Sequence, residues 1–339
     1  MNIESTKIGV IGAGSWGTAL ANLLALKGFK IDLWVYEEDV LNQISKFKEN
    51  ITFLPNIKLS DNIYPSNDLK VVSSNKDLIL LVVPSHEMRN ITNNISNFVS
   101  DKTIITSASK GIENKTHLTM TGILKDTIPN IPEENLCALS GPSFAKETAK
   151  KDPTAVVVAS KNEETACFVQ HIFATEYFRV YTSDDVIGVE LGGAVKNVIA
   201  IASGMLDGLK LGFNTRAALI TRGLTEIGRL GIKLGANPQT FAGLAGIGDL
   251  LLTCTSELSR NHTVGKKIGE GKKLSEVLAE MKMVAEGVKT AKSVYNLSNK
   301  VDVVMPISHE VYRILYEDAS PKDAVFNLMT RDLKQEFYI

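Results

Sequence analysis

The sequence predicts an α/β Rossmann domain, with a doubly wound, mostly parallel sheet, followed by an all-α C-terminal domain. Three observations carry this. Short apolar runs alternate with stretches of helical spacing up to about residue 184, as in folds built on a parallel sheet. A glycine-rich turn, Gly12-Ala13-Gly14-Ser15-Trp16-Gly17, follows the first apolar run directly. Beyond residue 184 the strand-like runs give way to long segments rich in Ala, Leu, Gly and Ile with helical periodicity.

Residues 7–13 form a short apolar run of the type found in buried parallel strands. Residues 15–27 place Trp16, Leu20, Leu23, Leu24 and Leu26 at helical spacing and close at Gly28, a common helix stop. Residues 31–36 read as a second strand, so the first 36 residues form a β-α-β unit. Further strands are expected at residues 77–83, 102–106, 136–139 and 155–159, and helices at 186–206 and 216–234. The division drawn from this pattern is 1–188 for dinucleotide binding and 189–339 for substrate binding.

Composition narrows the function. The chain has 339 residues, 44% hydrophobic and 22% charged, enough for two domains with sizeable cores. A formal net charge of −1 argues against a general nucleic-acid surface, which needs clustered Lys and Arg, but leaves room for a local basic pocket. Cys137, Cys167 and Cys254 lie far apart and read as reduced thiols of a cytoplasmic protein, and the five histidines lack ligand spacing, so no metal is expected. The start, Met1-Asn2-Ile3-Glu4-Ser5, lacks a signal pattern. No membrane span is expected, since no apolar run reaches the roughly 20 residues that one requires.

The glycine turn fits G-x-G-x-x-G. Gly12 permits the tight turn, Gly14 lets a pyrophosphate approach the backbone, and Gly17 lets helix and strand pack closely. The helix start then presents N–H groups to the phosphates. Trp16, placed in the loop, is expected to cover the cofactor.

A second feature is the segment Glu190-Leu191-Gly192-Gly193-Ala194-Val195-Lys196-Asn197. Glycines inside a helix cost about 1 kcal/mol each relative to alanine, so something should compensate. Gly192 and Gly193 lie at i−4 and i−3 from Lys196, which clears its helix face of bulk. A lysine there is either partly desolvated and suited to proton transfer, or it snorkels to the surface beside a tight helix crossing. A third feature is a set of anion donors. Ser259-Arg260-Asn261 ends a polar loop, while Lys110 and Gly141-Pro142-Ser143 follow strands at the sheet edge where ligands of this fold class bind.

Together, the segments GAGSWGTALA (12–21), VVPSH (82–86), SKGI (109–112), LSGPSFAKE (139–147), ELGGAVKNVIAIASGM (190–205), ALITRGLTEIGRLG (218–231), GLAGIGDLLLTCTSELSRN (243–261) and VAEGVKTA (284–291) resemble the bacterial NAD(P)-dependent glycerol-3-phosphate dehydrogenases. The resemblance spans residues 7 to about 325. It implies a cytoplasmic homodimer that uses NAD(H) and/or NADP(H) to interconvert dihydroxyacetone phosphate and sn-glycerol 3-phosphate. It also implies roles. Ser15, Trp16, Tyr36, Ala145, Val284 and Glu286 would contact the cofactor, and Lys110 and Arg260 both cofactor and substrate. Gly141, Ser143, Asp249, Ser259 and Asn261 would hold the substrate. Lys196 would be the proton donor or acceptor, with Lys110 and Asp249 assisting. The residues alone had not pointed to Asp249, Val284 or Glu286.

Two rival readings stand beside this one: a two-domain dehydrogenase acting on a hydroxy or sugar acid, and a non-catalytic dinucleotide sensor. The sensor has no need of Lys196, Lys110 and Arg260 together.

The second strand ends Trp34-Val35-Tyr36-Glu37-Glu38, where many members of the family carry Arg or His. An acid near this point accepts hydrogen bonds from the ribose hydroxyls of NAD and repels a 2′-phosphate. Alternatively, Glu37 and Glu38 only open the next helix. We expect kcat/KM for NADH at least equal to that for NADPH. A tenfold or greater preference for NADPH would show that a basic residue elsewhere holds the 2′-phosphate.

Overall fold

The computed structural model describes residues 5–281 and 284–336. Their contacts divide the chain into two compact units. The first runs to Lys110 and resumes over Leu118–Val189; the second comprises Gly111–His117 and the chain from Glu190 onward. The segment Gly111–His117, expected in the first half, thus groups with the second unit. There the Ile112 carbonyl accepts a hydrogen bond from the Ser293 hydroxyl at 2.7 Å.

The first unit is built on eight strands: β1 (Ile8–Ile11), β2 (Ile31–Trp34), β3 (Ile63–Ser66), β4 (Leu78–Leu81), β5 (Ile104–Ser107), β6 (Leu136–Ser140), β7 (Thr154–Ser160) and β8 (Phe178–Ser183). Their order is β3-β2-β1-β4-β5-β6-β7-β8. All neighbours are parallel except β6 and β7. The first six strands therefore have the 3-2-1-4-5-6 order of dinucleotide-binding folds, in which ligands bind at the carboxyl ends. Period-two alternation sends side chains to both faces. Ile8, Val10, Leu78 and Leu80 join the apolar cluster on one face, and Ile11, Ile79, Leu81 and Ile105 the cluster on the other.

Two strands have no counterpart in the sequence reading. Pro65 interrupts the apolar run of β3, and proline is tolerated there because β3 lies at the sheet edge. β8 is the opposite edge, and only alternate residues of Phe178-Arg179-Val180-Tyr181 are buried.

The second unit is helical, with longest helices Val186–Gly208 and Phe213–Lys233. Val186–Gly208 corrects one expectation. Its 23 residues are long and apolar enough to cross a membrane, yet 94% of its most apolar window is buried within the fold. It is a core helix, and glycine explains how its neighbours approach it. A Cβ on Gly204 or Gly208 would overlap the carbonyl oxygens of His262 or Lys266 on the helix Arg260–Gly269. Reciprocally, a Cβ on Gly265 or Gly269 would overlap the carbonyls of Ile201 or Met205. The two backbones therefore touch directly, and the helix that begins at Arg260 is locked at a set height along Val186–Gly208.

Because backbone cannot yield as a side chain can, Gly265→Ala should lower the unfolding free energy by about 1–3 kcal/mol, the usual cost of overpacking. Urea denaturation monitored by circular dichroism measures this. An unchanged midpoint with an unchanged slope would mean that the crossing relaxes freely.

Candidate active site

In the first unit the glycine turn links β1 to the helix Ser15–Leu26, and its three glycines answer to three different demands. Gly12 has φ +115°, and a Cβ there would lie 2.5 Å from the Val82 carbonyl oxygen. A Cβ on Gly17 would overlap the Gly12 carbonyl, so this glycine lets the helix sit down on the turn. Gly14 differs: a Cβ there would meet nothing within 4 Å. Protein packing does not require glycine at that position, whereas the close approach of a pyrophosphate does. Gly14 is also the N-cap of the helix, with no side-chain cap and no acid in the first turn. The turn thus fits a dinucleotide phosphate.

The flanking residues are arranged as follows. Ser15 donates to the Phe53 carbonyl at 2.6 Å. Trp16 packs on the core, its ring 6.5 Å from that of Phe178, and so is in part a core residue. Tyr36, 77% exposed, leaves β2 at the carboxyl edge with its ring 5.9 Å from Trp34. Glu37 is the N-cap of the helix Glu38–Phe47, with Glu38 and Asp39 in its first turn. Asp32, within β2, is paired at 2.5 Å with Lys76, which lies just before the start of β4.

Also in the first unit, Lys110, Gly141 and Ser143 meet at the carboxyl ends of β5 and β6. The Gly141 carbonyl accepts from Lys110 Nζ at 3.2 Å and from Ser143 Oγ at 3.0 Å. Gly141 has φ +141°, and a Cβ would lie 2.9 Å from Val156 Cα. Ala145 begins the short helix Ala145–Ala149, which packs against Ser15–Leu26.

In the second unit Lys196 is 6% exposed, so it does not snorkel. Its Nζ donates to Asp249 Oδ1 at 2.5 Å and to Thr253 Oγ1 at 2.7 Å. The Thr253 hydroxyl donates in turn to the Asp249 carbonyl at 2.6 Å, which aims an oxygen lone pair at the ammonium. Asp249 is 1% exposed. Gly192 makes this meeting possible. A Cβ there would overlap the Ala245 carbonyl, so its absence lets the turn Leu244–Gly248 come against the helix and deliver Asp249 one residue later. The ion pair acts on its surroundings as well. Burial pushes the Cys254 thiol up to about 12, with Lys196 opposing the rise and Asp249 adding to it.

Ser259, Arg260 and Asn261 form the start of a helix, not the end of a loop. Ser259 is its N-cap, its Oγ accepting from His262 N at 3.2 Å. Asn261 is buried and already engaged: Nδ2 donates to Asn197 Oδ1 at 2.9 Å, and Oδ1 accepts from Gly287 N at 2.9 Å. One amide hydrogen is left for a ligand. Arg260 is exposed. Crowding by neighbours pulls its guanidinium below the usual arginine value, while the Glu286 carboxylate raises it. Arginine stays charged throughout. Glu286 begins the helix Glu286–Lys300, and Val284, exposed, precedes it.

Thr253 and Asn197 were missed as members of this cluster. Thr253 stands four residues after Asp249, one helical turn, so the spacing would have revealed it had Asp249 been suspected from the residues alone. Among the described residues, no group of three or more His, Cys, Asp or Glu is placed to hold a metal ion.

The family model "NAD-dependent glycerol-3-phosphate dehydrogenase N-terminus" matches residues 7–166, and the corresponding C-terminus model matches residues 185–326. The chain belongs to the NAD-dependent glycerol-3-phosphate dehydrogenase family. It is 54% identical over 329 residues to glycerol-3-phosphate dehydrogenase [NAD(P)+] of Syntrophobacter fumaroxidans, covering 97% of each chain. To the Geobacter sulfurreducens enzyme it is 53% identical, covering 98% of this chain and 99% of that one. The crystal structure of glycerol-3-phosphate dehydrogenase from Coxiella burnetii superposes with a TM-score of 0.92 at 41% identity, covering 96% of this chain and 99% of that one. A D-mandelate dehydrogenase, at 12% identity and a TM-score of 0.60, shares the fold alone. As a glycerol-3-phosphate dehydrogenase family member the chain is an NAD(P)-linked oxidoreductase.

Proposed function

We propose that this chain catalyses the reversible reduction of dihydroxyacetone phosphate to sn-glycerol 3-phosphate, the backbone precursor of glycerophospholipids. The observation that carries the chemistry is the buried Lys196–Asp249–Thr253 cluster. When bound, NAD(P)H would supply the hydride for reduction of the C2 ketone. Lys196, hydrogen-bonded to Asp249, acts as an ammonium that stabilises the negative charge developing on the carbonyl oxygen and donates a proton to it. In the oxidative direction it accepts the alcohol proton. Asp249 and Thr253 fix the Nζ position, so little reorganisation is needed at the moment of transfer.

Lys110 is assigned contact with cofactor and substrate; Gly141 and Ser143 are assigned substrate, and Ser15, Trp16, Tyr36, Ala145, Val284 and Glu286 cofactor. Arg260 supplies the planar fork that grips the substrate phosphate, with Ser259 and the remaining Asn261 hydrogen as neutral donors. Gly12, Gly14 and Gly17 form the cofactor turn. The family match supports each assignment and favours this reading over a hydroxy-acid dehydrogenase or a sensor. A homodimeric state and a cytoplasmic location are proposed from the same resemblance.

Lys196→Ala should reduce kcat with dihydroxyacetone phosphate at least about a hundredfold, within the 10²–10⁴ range of general acid catalysis, while NADH binding changes little. The variant should also be less stable by about 3–5 kcal/mol, because it leaves Asp249 buried without its counter-charge. The absorbance of NADH measures turnover, and near-normal turnover would remove Lys196 from the chemistry.

Arg260→Ala should weaken kcat/KM for dihydroxyacetone phosphate by about 1.5–3 kcal/mol, the worth of a charge-assisted contact. Unphosphorylated dihydroxyacetone should be far less affected. Equal losses on both substrates would mean that Arg260 does not read the phosphate.

A further inference from the structure

The carboxyl ends of β5 and β6 hold two hydroxyls that nothing above uses. Ser107, the last residue of β5, is 2% exposed, and Ser140, the last residue of β6, is 5% exposed. Neither Oγ has a hydrogen-bond partner among the described residues. A buried hydroxyl left unpaired costs roughly 1–3 kcal/mol, so two at the ends of neighbouring strands call for an explanation.

Their placement is specific. Ile105 and Leu136 belong to the same apolar cluster on one face of the sheet. Counting by twos along each strand puts Ser107 and Ser140 on that face too. The strands are parallel, with Ser107 opposite Ala138, so Ser140 lies one pleat farther along the neighbouring strand. On the other side, Ser107 is in register with Leu81 of β4. The Thr106 hydroxyl is also without a partner, but alternation along β5 turns it to the opposite face, away from the two serines.

In a fold of this strand order the dinucleotide crosses the carboxyl edge where β1 and β4 part. A pyrophosphate held at the turn after β1, with the adenosine half on the β2 side, would leave the nicotinamide half toward the ends of β4, β5 and β6. A charged group is a poor match for the two serines. They are neutral and lie among Leu81, Ala138, Ile105 and Leu136, where an ion loses its hydration without recompense. The nearby cation, Lys110, is directed at the Gly141 carbonyl. A neutral group with both a donor and an acceptor suits two hydroxyls, each of which can give and take a hydrogen bond.

We propose that Ser107 and Ser140 form a seat for the carboxamide of the bound nicotinamide, one hydroxyl donating to its carbonyl and the other accepting from its amide N–H. This rests on the dinucleotide-dependent reading of the chain. The seat orients the ring about its glycosidic bond and so sets which face of the ring meets the substrate.

Isothermal titration tests it with three probes: NADH, its 3-acetylpyridine analogue, in which a methyl group replaces the amide nitrogen, and ADP-ribose, which lacks the ring. In the unaltered protein NADH should bind about three- to tenfold tighter than the analogue, the worth of one hydrogen bond. Ser107→Ala and Ser140→Ala should each weaken NADH by a similar factor and leave ADP-ribose unchanged, and the double variant should bind NADH and the analogue alike. Equal weakening of NADH and ADP-ribose would overturn the proposal, since it would report distortion of the sheet edge. So would unchanged NADH affinity in both single variants, or a full preference for NADH retained by the double variant. The comparison of NADH with its analogue in the unaltered protein needs no variant, and equal affinity there overturns the proposal even if a variant fails to fold. Failure of the unaltered protein to bind ADP-ribose at all would instead sink the dinucleotide reading, and the seat with it.

Discussion

Backbone-to-backbone contact along the helix Val186–Gly208 sets the position of nearly every side chain in the candidate site of the second unit. At Gly192 the helix admits the carbonyl of Ala245, and at Gly204 and Gly208 those of His262 and Lys266. A third approach comes from Gly287, where a Cβ would lie 2.6 Å from the Asn197 carbonyl and 2.9 Å from Asn261 Oδ1. These contacts leave no side-chain layer to adjust, so the spacing between segments is set by peptide dimensions. The intrinsic cost of helical glycine, about 1 kcal/mol each, is accepted where it brings Asp249, Asn261 and Gly287 to Lys196 and Asn197.

That geometry governs the electrostatics. An ammonium and a carboxylate buried together lose most of their hydration, and their attraction offsets this only when the remaining hydrogen bonds are satisfied. Thr253 supplies one such bond to Lys196, and its own proton is committed to the Asp249 carbonyl. The arrangement contributes little to net stability compared with an apolar filling. What it provides is a fixed cation with a defined direction, the property that stabilisation of a developing oxyanion requires.

The two ends of the cofactor edge are held by different means. At β1 the turn depends on glycine, once for a positive φ, once for helix packing and once for open access. At β5 and β6 it depends on polar contacts: Gly141 offers its carbonyl to Lys110 and Ser143. Asp32, the one acid within β2, is paired with Lys76, and Tyr36 and Glu37 follow the end of that strand.

The division between what could be read early and what could not follows the range of the interactions. The glycine turn, the β-α-β start, the helical second half and the lysine on a cleared helix face are patterns between near neighbours in the chain, and local periodicity determines them. The strand order, the edge strands β3 and β8, and the grouping of Gly111–His117 with the helical unit depend on distant partners and carry no local signature. So does the choice between a snorkelling and a buried Lys196, which was settled by Asp249, 53 residues away. The same holds for Asn261. As a sequence it read as a phosphate donor in a polar loop; in the fold it joins three helices through Asn197 and Gly287. The chain by itself determined which chemical groups were available and on what local scaffold. Tertiary structure alone decided which of them were desolvated together, because burial and pairing are properties of the packed whole.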